Sequence, residues 1–569
     1  MTQKKNTRSR AGCLSCRQRH VRCDEQRPSC QTCLAGNRTC TYPSAVIPLR
    51  DRRVLQRDAL PPGQQAPWAS TDPSGSLMRR KSVGSTVMDP FETLPVKMLF
   101  KSRELYHYFY QTGAAFAVAP PDPKDDCIAL ATLDEQAMRS TILIAGIHYS
   151  WNTGHLQAFE PAFLFHKVES IRSVNNWLQS SDSKSFVVCV RQILTICLAE
   201  ACLADLAAAE THLDGVMALF DSHDQRAGTD GGIDDLDAEL ANHYLILTSC
   251  FFLALKSRLD DFILLRESQQ GIDADNNDRS SPEKALKLYK AWHQMEHLGL
   301  DTRLKCLRLF PYFFSPPPAR FRRRGSKTML IDALPIIECV RSITETLDRI
   351  RANPSSEHMH RVWNDGGPTK LLLVMVTAHV EGFVAKDESK NNNNKFATPK
   401  QHKNEQCIRL RSTWSGISAA AELFMHSVLG ILNAGAPLEC RLLYRLLLIL
   451  KRGIQETRAD LIQLNRYSGG IHLAQCLWFW KVFTGVMALS TSQHVSSGKA
   501  CPCPCPCRAE LARLYTWFCN CARAWSAVTG RTKWAHVEPI LRTIAWPAVL
   551  PPRGRDHAPD AWAGVIPVA

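Results

Sequence analysis

Six cysteines crowd into residues 11–40: Cys13, Cys16, Cys23, Cys30, Cys33 and Cys40. The pattern is C-x2-C-x6-C, a gap of six residues, then C-x2-C-x6-C again, so the second half repeats the first with an offset of 17. Thiols at this density either hold metal or pair as disulfides. A structural zinc ion takes four ligands in a tetrahedron. Two ions need eight contacts, and six thiolates supply eight if two of them serve both ions. The repeat marks Cys13 and Cys30, at the head of each half, as the shared candidates. Two residues between ligands allow a tight turn that aims both sulfurs inward. As disulfides the six would have 15 connectivities and would need an oxidising compartment. The N-terminal MTQKKNTRSR has no apolar signal segment, so a reducing compartment and metal are expected. The sequon Asn37-Arg38-Thr39 then has no bearing.

Between the second and third cysteines lie Arg17, Gln18, Arg19, His20, Val21 and Arg22. A short helix starting at Cys16 would carry this basic row outward. The chain has a net charge of +15, and residues 1–60 hold 13 Lys or Arg against 4 Asp or Glu. A basic patch beside a metal module is the electrostatic footprint of a polyanion binder.

The residues Cys13, Cys16, Arg17, Arg19, Cys23, Asp24, Pro28, Cys30 and Cys33 meet CxxCRxRxxxCDxxxPxCxxC. In this the stretch resembles the fungal Zn2Cys6 binuclear cluster family of DNA-binding domains. The resemblance implies two zinc ions, with Cys13 and Cys30 bridging. Cys16 and Cys23 would complete one site, and Cys33 and Cys40 the other. It implies a nuclear, sequence-specific regulator of RNA polymerase II genes whose partners are double-stranded DNA and the transcription machinery. Arg17, Arg19, His20 and Arg22 would contact DNA, with the end of the first helix at the base edges of the major groove. The family most often has lysine where this chain has His20, and that lysine reads a CGG-type triplet.

The elements that position these residues follow in order. Residues 1–12 are a basic arm, 13–40 the zinc module, and 41–87 a linker rich in Pro, Ser, Gln and Gly, a composition that cannot bury enough apolar surface to order itself. The linker holds Arg50, Arg52, Arg53 and Arg57 as phosphate or import candidates. It has no sustained heptad, so a homodimer would have to form without a coiled coil there. Order returns at Asp89, where DPF-x-x-LP precedes an aromatic helix containing His107, Tyr108 and Phe109. This resembles the opening of the fungal-specific transcription factor regulatory domain, and the resemblance runs to Trp546-Pro547. Residues 88–549 therefore read as a large all-α domain, and 550–569 as a C-terminal tail.

Helical spacing supports the same class. Leu164, Val168, Ile171, Val174 and Leu178 mark one face. Phe186–Phe220 is helical with a break near Asp205. Further helices are expected at Tyr244–Leu259, Leu286–Leu300, Ile331–Ile350, Lys370–Val384, Ile408–Leu432, Leu442–Leu464, Leu473–Leu489 and Arg508–Thr529. No βαβ alternation or hairpin is evident. The acidic Ile233–Glu239 reads as a polar loop. Single cysteines in apolar runs, such as Cys197 and Cys250, read as buried small hydrophobes. No apolar run reaches the roughly 20 residues of a membrane span, so no membrane partner is expected. Three low-complexity interruptions are the asparagine run in Lys386–Gln406, the Pro316–Arg324 basic loop, and the alternating Cys-Pro of Cys501–Cys507.

Nucleotide-loop and nucleophile-elbow motifs are missing: there is no GxGxxG, GxxxxGK[ST] or GxSxG. One catalytic pattern occurs, His293-Gln-Met-Glu296-His297, which fits the H-x-x-E-H of zinc metallopeptidases. Its surroundings, AWHQMEHLGL, read as an ordinary amphipathic helix. The expectation is a non-enzyme. A second reading is a zinc-stabilised interaction protein that no longer reads DNA.

Overall fold

The structure is a computed structural model. It describes residues 12–42, 94–111, 134–179, 185–203, 205–227, 235–270, 300–314, 330–352, 367–384, 410–432, 438–464, 472–490, 507–548 and 558–566. Two compact units divide between residues 76 and 77. The basic arm, the linker after Tyr42, His293/Glu296/His297, the 316–324 loop, the asparagine run and Cys501–Pro506 lie outside the described residues.

The small unit has two short helices, Leu14–Gln18 and Gln31–Leu34. The first begins at Leu14, not at Cys16 as expected. Cys13 is its N-cap, with extended backbone and a sulfur accepting from the Cys16 N–H at 3.4 Å. Capping by the first cysteine pulls the helix start forward, so the helix ends before most of the basic row.

The large unit is α-helical, as the spacing predicts. Every residue of the Glu135–Thr153 helix from Gln136 to Trp151 is buried. A helix buried all round sits inside a core. The helices Ser102–Gln111, Glu160–Leu178, Ser185–Cys202 and Leu300–Phe314 pack around it. In the C-terminal half, Leu473–Ser490 plays that part against Cys440–Leu464, Cys507–Thr529 and Trp534–Ile544. Asp235–Gln270, Gly367–Val384 and Trp414–Leu423 join the halves into one apolar core. Gly416 and Gly453 let two of these helices touch backbone to backbone: a Cβ on Gly453 would stand 2.7 Å from the Gly416 Cα.

Several expectations need correction. Residues 411–413 and 330–332 are not helical but form a two-stranded antiparallel sheet, with Ile331 opposite Ser412. Three-residue strands are too short to show a period. The expected Ile408–Leu432 helix is Trp414–Leu423 followed by a π-turn, Phe424–Val428. The acidic loop opens the Asp235–Gln270 helix, and its Glu239 is buried, accepting from His243 Nε2 at 3.1 Å and from the Ser415 hydroxyl. Two helical segments, Ala238–Ser257 and Leu473–Ser490, are long and apolar enough to cross a membrane, contrary to the sequence reading; they are 94% and 78% buried against the protein itself. The expected tail contains a helix, Ala558–Val565, whose Trp562 is buried and donates to the Thr532 carbonyl at 2.7 Å. Finally, the Glu160–Leu178 helix buries Phe163, His166, Ser170 and Val174, and exposes Leu164, Val168 and Leu178.

Candidate metal centre

Five of the six N-terminal cysteines are buried and Cys40 is half-buried. Their sulfurs form two groups of four: Cys13, Cys16, Cys23 and Cys30, and Cys13, Cys30, Cys33 and Cys40. Within each group all four sulfurs lie within 4.8 Å of one another, and Cys13 and Cys30 belong to both. The Cys13–Cys30, Cys13–Cys33 and Cys16–Cys30 separations are 3.8, 3.6 and 3.7 Å. Sulfurs about 2.3 Å from a central zinc stand about 3.8 Å apart along a tetrahedron's edge. The donor set therefore fits two ions that share two thiolates.

The repeat in the sequence is a repeat in three dimensions. Cys13 N–H donates to Cys23 Sγ at 3.4 Å, and Cys30 N–H donates to Cys40 Sγ at 3.3 Å. Cys13 and Cys30 each cap a helix with extended backbone, ψ 158° and 149°. After each helix the chain turns through a left-handed residue, His20 and then Asn37. Val21 N–H donates to Cys16 O at 3.1 Å, and Arg38 N–H to Cys33 O at 3.0 Å. These bonds occupy carbonyls that the helix ends would leave bare.

Without a metal, most of these thiols hold their protons. Burial pushes the thiols of Cys16, Cys30 and Cys33 up to about 12. At Cys13 burial acts the same way, but the Cys16 N–H and neighbouring thiols outweigh it and bring the group down to about 6. A coordinated divalent ion deprotonates such thiols outright.

Arg17, Arg19, His20 and Arg22 are all exposed. Arg17 lies in the last turn of the helix and Arg19 is its C-cap. His20 lies past the helix end, with φ 56°. The second half, at the same offset, presents Leu34, Gly36, Asn37 and Thr39 where the first presents Arg17, Arg19, His20 and Arg22. One half of a quasi-symmetric module is basic and the other is not.

Two supporting residues, Ser15 and Tyr42, were not expected from the sequence, and the motif residue Asp24 gains a role. Asp24 accepts from the Gln31 N–H at 3.1 Å, which caps the second helix and lowers the carboxyl below its usual range. Ser15 donates to the Thr39 carbonyl at 2.7 Å, tying the first helix to the end of the module. Tyr42 donates to the Gln26 carbonyl at 2.7 Å, lies under the Arg27 guanidinium at 5.1 Å, and sits 3.8 Å from Cys23 Sγ. The sequence did carry one signal for Tyr42: an aromatic stands where the repeat offers Glu25.

Two cysteine tetrads able to hold metal, in a quasi-symmetric module with one basic face, define the class. Residues 11–46 match the fungal Zn(2)-Cys(6) binuclear cluster domain, and the N-terminal unit carries a zinc-binding domain of that family. Two of the relatives it matches are named as a transcription factor and a transcription regulator. The chain is 36% identical over 118 residues to "Transcription factor lfc1" of Flammulina velutipes, covering 17% of this chain and 42% of that protein. It is 53% identical over 36 residues to "Adhesion and hyphal regulator 1" of Candida albicans, covering 6% of each. It is 40% identical over 65 residues to the "Aspercryptin biosynthesis cluster-specific transcription regulator atnN" of Emericella nidulans, covering 11% of this chain and 10% of that protein. The chain thus spans less than half the length of these relatives. No solved structure matches it at a significant level.

Proposed function

We propose that this protein is a zinc-dependent, sequence-specific DNA-binding transcription regulator that acts in the nucleus. The observation that carries the reading is the pair of cysteine tetrads with Cys13 and Cys30 in common. In this reading Cys13 and Cys30 bridge two zinc ions, Cys16 and Cys23 complete one, and Cys33 and Cys40 complete the other. The ions serve structure: bound zinc supplies the folding free energy of a module too small to bury a core of its own.

The basic half of the module does the reading. Arg17, Arg19, His20 and Arg22 present positive charge and donors on one side, and the second half offers no equivalent set. Phosphate contacts fix the register and base-edge contacts give specificity. Arginine is suited to guanine because its fork meets O6 and N7 together. A G-rich, CGG-like half-site follows, read chiefly through Arg19. Residues 88–549 would be the regulatory domain that controls the output.

Selection of binding sites from random DNA tests the reading. The zinc-loaded chain should enrich a short G-rich half-site, and the Arg19→Ala variant should lose it. Enrichment of no motif, with zinc bound, would favour the interaction-protein reading instead.

A further inference from the structure

The Glu135–Thr153 and Glu160–Leu178 helices carry three buried polar atoms that have no hydrogen-bond partner among the described residues: Arg139 Nη1, His166 Nδ1 and Ser170 Oγ. Their residues are 6%, 0% and 0% exposed. The two helices run antiparallel on either side of the turn at residues 154–159. Near that turn Gly146 abuts the Phe163 ring, where a Cβ would stand 2.4 Å from Cδ2. Seven residues further from the turn on each helix are Arg139 and Ser170. The same register brings Arg139 Nη2 to 3.9 Å from Glu169 Oε2. His166 lies one helical turn before Ser170, on the same face, and the Arg139 charge acts on it.

The protons can be placed from the neighbours. Ser102 has one hydroxyl proton, and it goes to the Leu99 carbonyl at 2.5 Å. Its oxygen, 2.9 Å from His166 Nε2, is left to accept, so the imidazole proton sits on Nε2. His166 Nδ1 is then a bare acceptor. Arg139 donates through Nε and Nη2 to Glu135 Oε1 at 3.2 and 2.7 Å, which pairs its charge and leaves the N–H groups of Nη1 as bare donors. The Ser170 hydroxyl does not return to the carbonyl one turn back, as the Ser173 hydroxyl does to Glu169 at 3.0 Å. A bare donor, a bare acceptor and a hydroxyl thus share one helix interface. Buried polar atoms are almost always satisfied, by protein or by ordered water.

We propose that these three atoms are the binding site of one internal water molecule, which accepts from Arg139 Nη1 and donates to His166 Nδ1 and Ser170 Oγ. Three hydrogen bonds are the usual complement of a buried water. The donor and acceptor pattern selects water over other small occupants. A halide suits Arg139 but has no proton for His166 Nδ1. A metal ion suits His166 Nδ1 but is repelled by the guanidinium. Water both gives and takes. Through His166 the bonds run on to Ser102 and the Leu99 carbonyl, so the water ties the turn ahead of the Ser102–Gln111 helix to Arg139 in the core.

The test is a crystal structure of the full zinc-loaded chain, at a resolution that shows internal waters, with a second crystal soaked in sodium bromide. Wild type should show one density peak about 3 Å from each of the three atoms, with no anomalous bromide signal at that place. His166→Phe removes the acceptor and should lose the peak. Wild-type density that shows other internal waters but none here overturns the proposal. So does a bromide signal at the site, which would make it an anion site. Direct bonds among Arg139, His166 and Ser170 would overturn it too, as would a His166→Phe chain that keeps the peak. If that variant does not fold, the two wild-type crystals decide alone.

Discussion

His20 and Asn37 stand 17 residues apart and hold the same left-handed backbone, φ 56° and 47°. Each ends a short helix with its N–H on the carbonyl three residues back, Arg17 and Leu34, at 3.1 Å in both cases. His20 therefore has a backbone duty besides any contact with DNA. Asparagine and glycine adopt this conformation most easily, and β-branched residues least. His20→Asn should leave the module's resistance to a zinc chelator unchanged. His20→Val should lower its stability by about 1–2 kcal/mol, and the chelator titration would show the difference. Loss of equal size in both variants would mean the side chain, not the backbone, matters.

The same position bears on recognition. Lysine offers three donors and a full charge to guanine. His20→Lys should tighten binding to a CGG-type site by about 1–3 kcal/mol, the worth of one good base contact. Binding isotherms at fixed salt measure it. If His20→Lys and His20→Asn both bind like wild type, His20 does not face the bases.

Bridging and terminal cysteines should differ in consequence. Cys13→Ser or Cys30→Ser removes a sulfur common to both tetrads and should empty both sites. Cys16→Ser removes one from a single tetrad and should leave part of the second site filled. Native mass spectrometry counts the ions directly, and equal zinc content in Cys13→Ser and Cys16→Ser is the result that refutes sharing.

Two kinds of buried group give the large unit opposite pH trends. His148 and His166 are fully buried, and burial, aided by Arg308 and Arg139 respectively, lowers each to about 3. They stay neutral in the fold while the unfolded chain takes up protons below about 6.5. Their contribution to stability should thus be level above that value and fall as pH drops toward 3, by up to about 1.4 kcal/mol per pH unit for each histidine. Glu422 behaves in the opposite sense. It is fully buried, its Oε2 has no hydrogen-bond partner, and burial raises it to about 8 despite the Ser249 hydroxyl at 2.8 Å. Its stabilising, protonated state costs nothing below about 4.5 and becomes a growing burden as pH rises toward 8. Glu422→Gln should therefore raise the denaturation midpoint at pH 7.5, by roughly 2–4 kcal/mol in free energy, and change little near pH 4.5. A midpoint lowered at pH 7.5 would show that the carboxylate is ionised and paired in the fold.

The fold class was legible because helical spacing repeats often. The break near Asp205 shows why: Leu206–Ala227 starts there, and Asp205 accepts from the Ala208 N–H at 3.1 Å, a polar cap inside an apolar run. The Glu160–Leu178 helix shows the limit. Both of its faces have apolar residues at helical spacing, and Val174 belongs to the buried one while Leu164 and Val168 belong to the other. Only the packing partners decide which face turns inward, and those come from distant sequence. That the six cysteines gather into two groups of four with Cys13 and Cys30 in common was legible from the repeat in their spacing. The left-handed turn at His20 was not, because only comparison with Asn37 in the second half reveals it. Tyr42 lay beyond the last cysteine, and its only trace in the sequence was an aromatic where the repeat offers Glu25.

The close approach of Gly416 and Gly453 sets a packing limit that one substitution tests. Gly453→Ala would place a methyl 2.7 Å from the Gly416 Cα and 3.0 Å from Thr413 Oγ1. Neither neighbour is the end of a flexible side chain, so the helices must separate. The cost should be about 1–3 kcal/mol, read as a lower midpoint in urea. An unchanged midpoint would show that the two helices slide apart freely.

In the proposed function, zinc held by the two cysteine tetrads builds a surface that reads DNA. The most direct measurement is the affinity of the full chain for its selected half-site against a scrambled duplex, with zinc and after chelation. The expected result is a marked preference for the half-site with two ions bound, lost on chelation and restored when zinc is returned. Sequence preference that survives complete removal of zinc would contradict it, as would two bound ions with no preference at all.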